Sequence, residues 1–232
     1  MKNLAIIPAR SGSKRLRDKN IIDLNGKPLI YYTIKSALDS CCFEEVMVST
    51  DSEKYANIAK QCGAKVPFLR SEEMSSDCAA TWDTVREVLS YYKAKSINFE
   101  HVTVLQPTSP LRNKNDIIGV FRLLDKVKAN NVVTVSEVEH PVQWCFKLPE
   151  NGLMDEMAKS PYNYMKRQDL EPYYRENGAV YVINAKKIMD PKYDFYSDRC
   201  FAYIMPLTRS IDIDTKMDLL LASICMKDIK NV

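Results

Sequence analysis

Between positions 10 and 19 the chain carries Arg10, Lys14, Arg15, Arg17 and Lys19 against one acid, Asp18, with Ser11, Gly12 and Ser13 among them. So dense a run of cations suits a polyphosphate. Backbone N–H groups around Gly12 and the hydroxyls of Ser11 and Ser13 can cradle the anion while Arg and Lys neutralise it. No Gly-Lys-Ser/Thr closes the segment, so it is not a Walker P-loop. A solvated basic loop would have the same composition. The opposite end of the chain supplies a second group that bears on the choice. In Ser210-Ile-Asp-Ile-Asp-Thr215, extended backbone would put Asp212 and Asp214 on one face and Ile211 and Ile213 on the other. Two close carboxylates raise each other's pKa unless a cation neutralises them. Mg²⁺, hard and commonly shared between carboxylates and substrate phosphates, suits such a pair. The competing reading is that one Asp caps the helix starting after Thr215. With a polyphosphate loop in the same chain the metal reading gains, because phosphates need cations and the metal needs phosphate oxygens.

Three further segments could contribute polar groups. Gln106-Pro-Thr-Ser-Pro-Leu-Arg112 ends an apolar run with two prolines that stiffen the turn, so the Gln106 amide could read a hydroxyl or a base edge. Arg70-Ser-Glu-Glu-Met-Ser-Ser-Asp77, followed by Ala79, Ala80 and Thr81, is a polar loop entering a helix whose N-terminal donors could hold a base. Arg167 and Arg175 precede a late apolar run. Guanidinium groups grip carboxylates in a planar fork, so an acidic substrate is one reading and surface ion pairing the other. Neither of the two histidines, His101 and His140, lies in a Ser–His or Cys–His pattern, which leaves covalent hydrolase chemistry without support.

These groups need a scaffold, and the composition permits one. A chain of 232 residues, 46% hydrophobic, can bury the core of one α/β domain. The net charge of +3 lacks the excess of a general nucleic-acid binder. Cysteines at 41, 42, 62, 78, 145, 200 and 225 are odd in number and contain no Cys-x-x-Cys pair. Disulfide scaffolds and zinc sites are therefore not expected, and a reducing cytoplasm is. The apolar stretch before Pro8 and Arg10 is too short for a signal peptide, and no later segment reaches membrane-span length.

Leu4–Ile7, Val46–Ser49, Val102–Leu105 and Val132–Val135 read as continuously apolar strands of the parallel-sheet type. Helices are expected over Pro28–Ser40, Ser52–Cys62, Ala79–Ala94 and Asp116–Ala129, with Pro28 in a first turn and Asp51 or Ser52 as a cap. This alternation predicts an α/β fold: a doubly wound, mostly parallel sheet with helices on both faces and ligands beyond the carboxyl ends of the strands. The stretch 139–176 breaks the rhythm with four prolines and many aromatics, and reads as an inserted lobe or dimer arm within a single domain over 1–232. Gly178–Ile183 and Phe201–Met205 return to the sheet, and a last helix is expected near Lys216–Lys227.

In this order, Ala9-Arg-Ser-Gly-Ser-Lys14, Lys19-Asn20, Val48-Ser-Thr-Asp51, Leu105-Gln-Pro-Thr-Ser-Pro-Leu-Arg112, Arg175-Glu-Asn-Gly-Ala-Val-Tyr181 and Ser210-Ile-Asp-Ile-Asp214 resemble the bacterial CMP-sialic acid synthetases, the acylneuraminate cytidylyltransferases, including CMP-legionaminate synthetases. The resemblance implies a cytoplasmic, Rossmann-like homodimeric enzyme without an appended phosphatase domain. It would move CMP from CTP to the anomeric hydroxyl of a nine-carbon 2-keto sugar acid, N-acetylneuraminate first, with Mg²⁺ as cofactor and neither nucleic acid nor membrane as partner. By position, Arg10, Ser13, Lys14 and Lys19 would meet the triphosphate, and Asn20, Arg70, Ala79 and Thr81 the cytidine. Gln106 and Tyr181 would meet the sugar, and Arg167 and Arg175 its carboxylate, across the dimer. Asp212 and Asp214 would hold the metal, and with Arg10 and Lys19 they form the expected catalytic set. Ala80 and Thr81 stand where relatives carry Ser, and Pro172 is shifted, which puts the cytosine and sugar contacts there in question. Legionaminate and, further off, Kdo are the alternative acceptors. A non-catalytic sugar-nucleotide-binding protein is the alternative of a different class.

Overall fold

The computed structural model describes residues 2–76 and 79–230, so Asp77 and Cys78 of the polar loop lie outside the described residues. Its strands are β1 (Asn3–Pro8), β2 (Asp23–Leu24), β3 (Lys27–Pro28), β4 (Glu45–Ser49), β5 (His101–Val104), β6 (Asn131–Glu137), β7 (Tyr174–Asn184) and β8 (Cys200–Ile204). Its α-helices are α1 (Leu29–Ser40), α2 (Glu53–Gln61), α3 (Glu72–Ser75), α4 (Thr81–Ala94), α5 (Lys114–Val127), α6 (Asp155–Ala158) and α7 (Lys216–Lys230). Six strands form one sheet in the order β4-β1-β5-β7-β6-β8, and β2 pairs with β3 in a short hairpin.

Alternation of faces along the strands builds two cores. Ala5, Ile7, Val46, Val48, Val132 and Val182 pack against α1, α2 and α5. Leu4, Ile6, Val102, Val104 and Ile183 pack against Val85, Val88 and Leu89 of α4. Helices therefore cover both faces, as strands buried on both sides require. β1 is parallel to β4 and β5, and β6 to β8, whereas β7 runs antiparallel to both β5 and β6. No helical crossover connects β6 to β7. The chain leaves through 138–173 and re-enters the sheet at the same edge, where Tyr174 pairs with Glu137, so β7 inserts between strands it opposes.

Local chemistry moves several expected boundaries. Pro28 is the extended residue before α1 rather than part of its first turn. α4 starts at Thr81, two residues after the expected Ala79, with the apolar Ala80 at its cap. α5 starts at Lys114, because the Asn113 side chain and Asp116 exchange hydrogen bonds in a capping box. Ser52, not Asp51, caps α2 through Tyr55 N–H. Residues 174–176, expected in the lobe, belong to β7.

Arg112 fixes the loop that leaves β5. It is 2% exposed and its guanidinium donates to the carbonyls of Gln106 and Ala179 and to Ser36 Oγ. Burial depresses its pKa, opposed by Asp116. The Gln106–Arg112 turn is thereby tied to β7 and α1. Arg112→Met takes the guanidinium donor from Ala179 O and leaves Gln106 O only the Thr33 hydroxyl and the Ser109 N–H, and is expected to cost about 3 kcal/mol. A urea midpoint equal to wild type would contradict this assignment.

Candidate active site

The basic loop is held by acids at its ends and by one apolar side chain in its middle. Ala9 N–H reaches Ser49 O at 2.9 Å, and Asp51 accepts from Ser11 N–H and Ser11 Oγ, both at 2.8 Å. At the far end Asp18 takes φ 53°, a left-handed turn, and its carboxylate receives Tyr55 Oη at 3.0 Å and Lys54 Nζ at 3.3 Å. The Tyr55 hydrogen bond is the largest influence holding Asp18 below the ordinary carboxylate range, followed by Lys54. Leu16 is buried in a third apolar cluster with Leu24, Leu29, Leu111, Ile213 and Met226. A Cβ at Gly12 would meet nothing within 4 Å. No tight packing demands the glycine, and the space over the loop is open.

Ile213 of the acidic segment shares that cluster with Leu16, and Ile211 packs at its edge. Ile213 N–H also bonds Thr108 O at 2.8 Å. Upstream, Arg209 makes a two-pronged contact with the buried Asp116 at 2.7 and 3.0 Å, and Asn177 Nδ2 holds Ser210 Oγ at 2.9 Å. α7 is capped by a Thr215–Asp218 pair: Asp218 Oδ2 accepts Thr215 N–H at 2.7 Å and Thr215 Oγ1 accepts Asp218 N–H at 3.3 Å. The Asp214 N–H also donates to Asp218, at 3.1 Å. Neither Asp212 nor Asp214 supplies the cap, so both carboxyls remain for other partners.

Asp214 meets the basic loop directly. Lys19 Nζ sits 2.8 Å from its Oδ1, and Arg15 3.4 Å from its Oδ2. The Asp212 carboxyl lies beside Thr108, Asp214, Lys19 and Asp218, and its pKa is raised. Burial is the largest cause, Asp214 and Asp218 add to it, and Thr108 and Lys19 oppose it. Among the described residues no cluster of three or more His, Cys, Asp or Glu is suited to a metal. A cation here would have to complete its shell from substrate oxygens and water, the usual habit of Mg²⁺. The donor set fits that ion: two hard oxygen donors, one of them disfavoured as a bare charge.

A cleft of about 410 Å³ opens beyond the carboxyl ends of β1 and β5. Arg10, Ser13, Lys14, Lys19, Asn20, Arg70, Ala79, Thr81, Gln106 and Asp214 all line it. Arg10 donates to Ser76 O, and Asn20 Nδ2 holds Arg10 O. Arg70 is buried, with Nε and one terminal nitrogen on Ser49, so part of its fork is structural. Ala80 offers no capping side chain to the first N–H groups of α4, whose dipole end favours an anion. Tyr181 is half-buried beside the cleft. Arg167 and Arg175 are exposed and outside its lining. Arg15, Met74, Ser76, Thr84 and Thr108 line it as well and were not singled out from the sequence. Arg15 carried the right charge for such a role, while the others have no signal in residue type.

The raised Asp212 pKa has a definite sign. The folded state holds the proton to higher pH than the unfolded chain, so ionising Asp212 costs stability as pH rises through that window. Asp212→Asn is expected to raise the thermal midpoint at neutral pH without ligands, and the gain should shrink as pH falls to the ordinary aspartate range. A variant less stable than wild type at neutral pH would contradict the raised pKa of this carboxyl.

The cytidylyltransferase family matches residues 4–223. The CMP-N,N'-diacetyllegionaminic acid synthase of Legionella pneumophila is 40% identical over 94% of this chain and 93% of its own length. The N-acylneuraminate cytidylyltransferase of Escherichia coli O18:K1:H7 is 39% identical over 95% of this chain, which spans 51% of that longer protein. In fold the chain is similar to a CMP:2-keto-3-deoxy-manno-octonic acid synthetase solved with CTP, with TM-score 0.72 at 17% identity over 99% of this chain and all of the other. With the basic loop and the acidic segment meeting in one cleft, this chain belongs to the cytidylyltransferase family and is a CTP-dependent nucleotidyltransferase.

Proposed function

We propose that this chain transfers the cytidylyl group of CTP to the anomeric hydroxyl of a nine-carbon 2-keto sugar acid, releasing pyrophosphate. The observation that carries the reading is the contact of Lys19 with Asp214 at 2.8 Å, within one cleft that also holds Arg10, Ser13 and Lys14. Cations for a triphosphate and a carboxylate for its metal stand side by side. N-acetylneuraminate is the acceptor of the first reading, supported by the E. coli relative. N,N'-diacetyllegionaminate is a second, favoured by the L. pneumophila synthase that matches over nearly the whole of both chains.

In this reading Arg10, Ser13 and Lys14 hold the phosphates, and Lys19 neutralises charge building on the departing pyrophosphate. Asn20, Arg70, Ala79 and Thr81 hold the cytidine, and Gln106 and Tyr181 orient the sugar for in-line attack on the α-phosphorus. Asp212 and Asp214 hold Mg²⁺, which when bound neutralises phosphate charge and acidifies the attacking hydroxyl. Arg167 and Arg175 reach the sugar carboxylate from the second copy of a homodimer. The lobe's surface supports such an assembly: Leu148, Leu153, Met154, Tyr162, Tyr164 and Met165 are all exposed, and aromatic and Met side chains are enriched at interfaces. A reducing cytoplasm agrees with the six described cysteines, all of them free. No helix of the described residues is long and apolar enough to cross a membrane.

Purified protein is expected to release pyrophosphate from CTP only with Mg²⁺ and an acceptor acid, and ranking N-acetylneuraminate, N,N'-diacetyllegionaminate and Kdo names the substrate. No release with any acid would favour a binding protein. Asp214→Ala should lower kcat by about 100-fold or more while CTP affinity changes by less than about tenfold. Near-normal turnover in that variant would remove the metal assignment.

A further inference from the structure

Beside the cleft, one carboxylate joins two tyrosines from separate parts of the chain. Glu176 of β7 accepts Tyr181 Oη on Oε2 at 3.0 Å and Tyr196 Oη on Oε1 at 2.5 Å. Tyr196 comes from the connection between β7 and β8. Behind them Trp82 of α4 stacks on Phe195 at 5.5 Å and meets Tyr181 edge-on at 5.9 Å, and Phe195 meets Tyr196 edge-on at 5.0 Å. Phe195 is 4% exposed and Tyr196 58%, and Glu176 is exposed as well. The result is a partly buried aromatic floor, with Phe195 at its base and a carboxylate at its open edge.

The cluster adjoins the cleft on the side of Thr81 and Gln106. Trp82 follows Thr81, which lines the cleft. A Cβ at Gly178, two residues from Glu176, would lie in ordinary contact with Gln106 Cδ, at 4.0 Å. The Tyr181 phenol is pushed up first by burial, then by Glu176, with Asp212 contributing. Nearby, burial and the charges of Glu176 and Asp194 push the Cys200 thiol up to about 11.

Both phenol protons are directed into Glu176. What remains for a ligand is the carboxylate and the lone pairs of two phenol oxygens, a surface of acceptors. Such a surface favours N–H and O–H groups and turns away another carboxylate. We propose that Glu176, braced by Tyr181 and Tyr196, is a specificity-determining residue that reads the acylamino N–H and hydroxyl donors of the acceptor and directs its carboxylate elsewhere. This rests on the sugar-acid reading given above. It adds a determinant outside the nucleotide cleft, on a residue that follows Arg175 and shares β7 with Tyr181.

Glu176→Gln replaces part of the acceptor surface with an NH₂ donor while keeping shape, and Tyr196→Phe removes one brace. Both positions are exposed, so folding is not at stake. Steady-state pyrophosphate release would be measured with N-acetylneuraminate, N,N'-diacetyllegionaminate and the amide-free Kdo. Glu176→Gln is expected to raise KM for the preferred amide-bearing acid about tenfold, leave KM for CTP unchanged and narrow its advantage over Kdo. Tyr196→Phe should act in the same direction by less. An unchanged advantage of the amide-bearing acid over Kdo, or equal losses for CTP and acid, overturns this inference while leaving the cytidylyltransfer reading intact. Absence of release by wild type with every acid overturns both.

Discussion

Five cations within ten residues repel one another, and the structure answers with carboxylates placed around them. Lys19 and Arg15 rest on Asp214, the loop's start hangs on Asp51, and its end turns around Asp18. The Lys19–Asp214 contact matters most, because it joins positions 195 residues apart. An exposed ion pair contributes little to stability, so the contact is better understood as positioning. It places phosphate-binding charge next to the proposed metal ligand before any substrate arrives. Triphosphate and metal would then each replace a partner already there, and less ordering remains to be done on binding.

An ion pair could not hold that arrangement alone. Leu16 and Ile213, one from each partner segment, are buried in the same apolar cluster under α7. Asp116 is 1% exposed and anchors Arg209 with two hydrogen bonds, while Asn177 anchors Ser210. Thr108 ties Ile213 to the loop after β5, and Arg112 ties that loop to β7. Each anchor is buried or backbone-bonded, so the acidic segment is fixed from the side of the core and left open toward the cleft. A carboxyl held in this way stays in its desolvating surroundings with Asp214 and Asp218 beside it, and the Asp212 pKa is raised, first by desolvation and then by those charges.

The sequence was most readable where period and residue type agree. The runs that became β1, β4, β5 and β6 are apolar throughout, as strands covered on both faces must be, and each fell within a residue or two of its boundary. The direction of β7 was not readable, because a buried strand has the same composition whichever way it runs. Ile211 and Ile213 gave the facing of the acidic segment by alternation, and the Thr215–Asp218 cap explains why neither aspartate is needed for the helix. Asp51 was placed at the right edge without its task, since its partner Ser11 is 40 residues away. Glu176 was invisible for a similar reason: its meaning depends on Tyr196, which only the fold brings to it. Arg167 and Arg175 remain outside the cleft of one protomer, and their proposed role depends on a second copy.

The central claim is that Lys19 and Asp214 act as one unit toward Mg–triphosphate. A double-mutant cycle with Lys19→Met, Asp214→Asn and the pair, measuring CTP affinity by calorimetry with and without Mg²⁺, tests it directly. The account predicts non-additive losses, with a coupling of about 1 kcal/mol or more that depends on Mg²⁺. Strictly additive losses, unchanged when the metal is withheld, would contradict it.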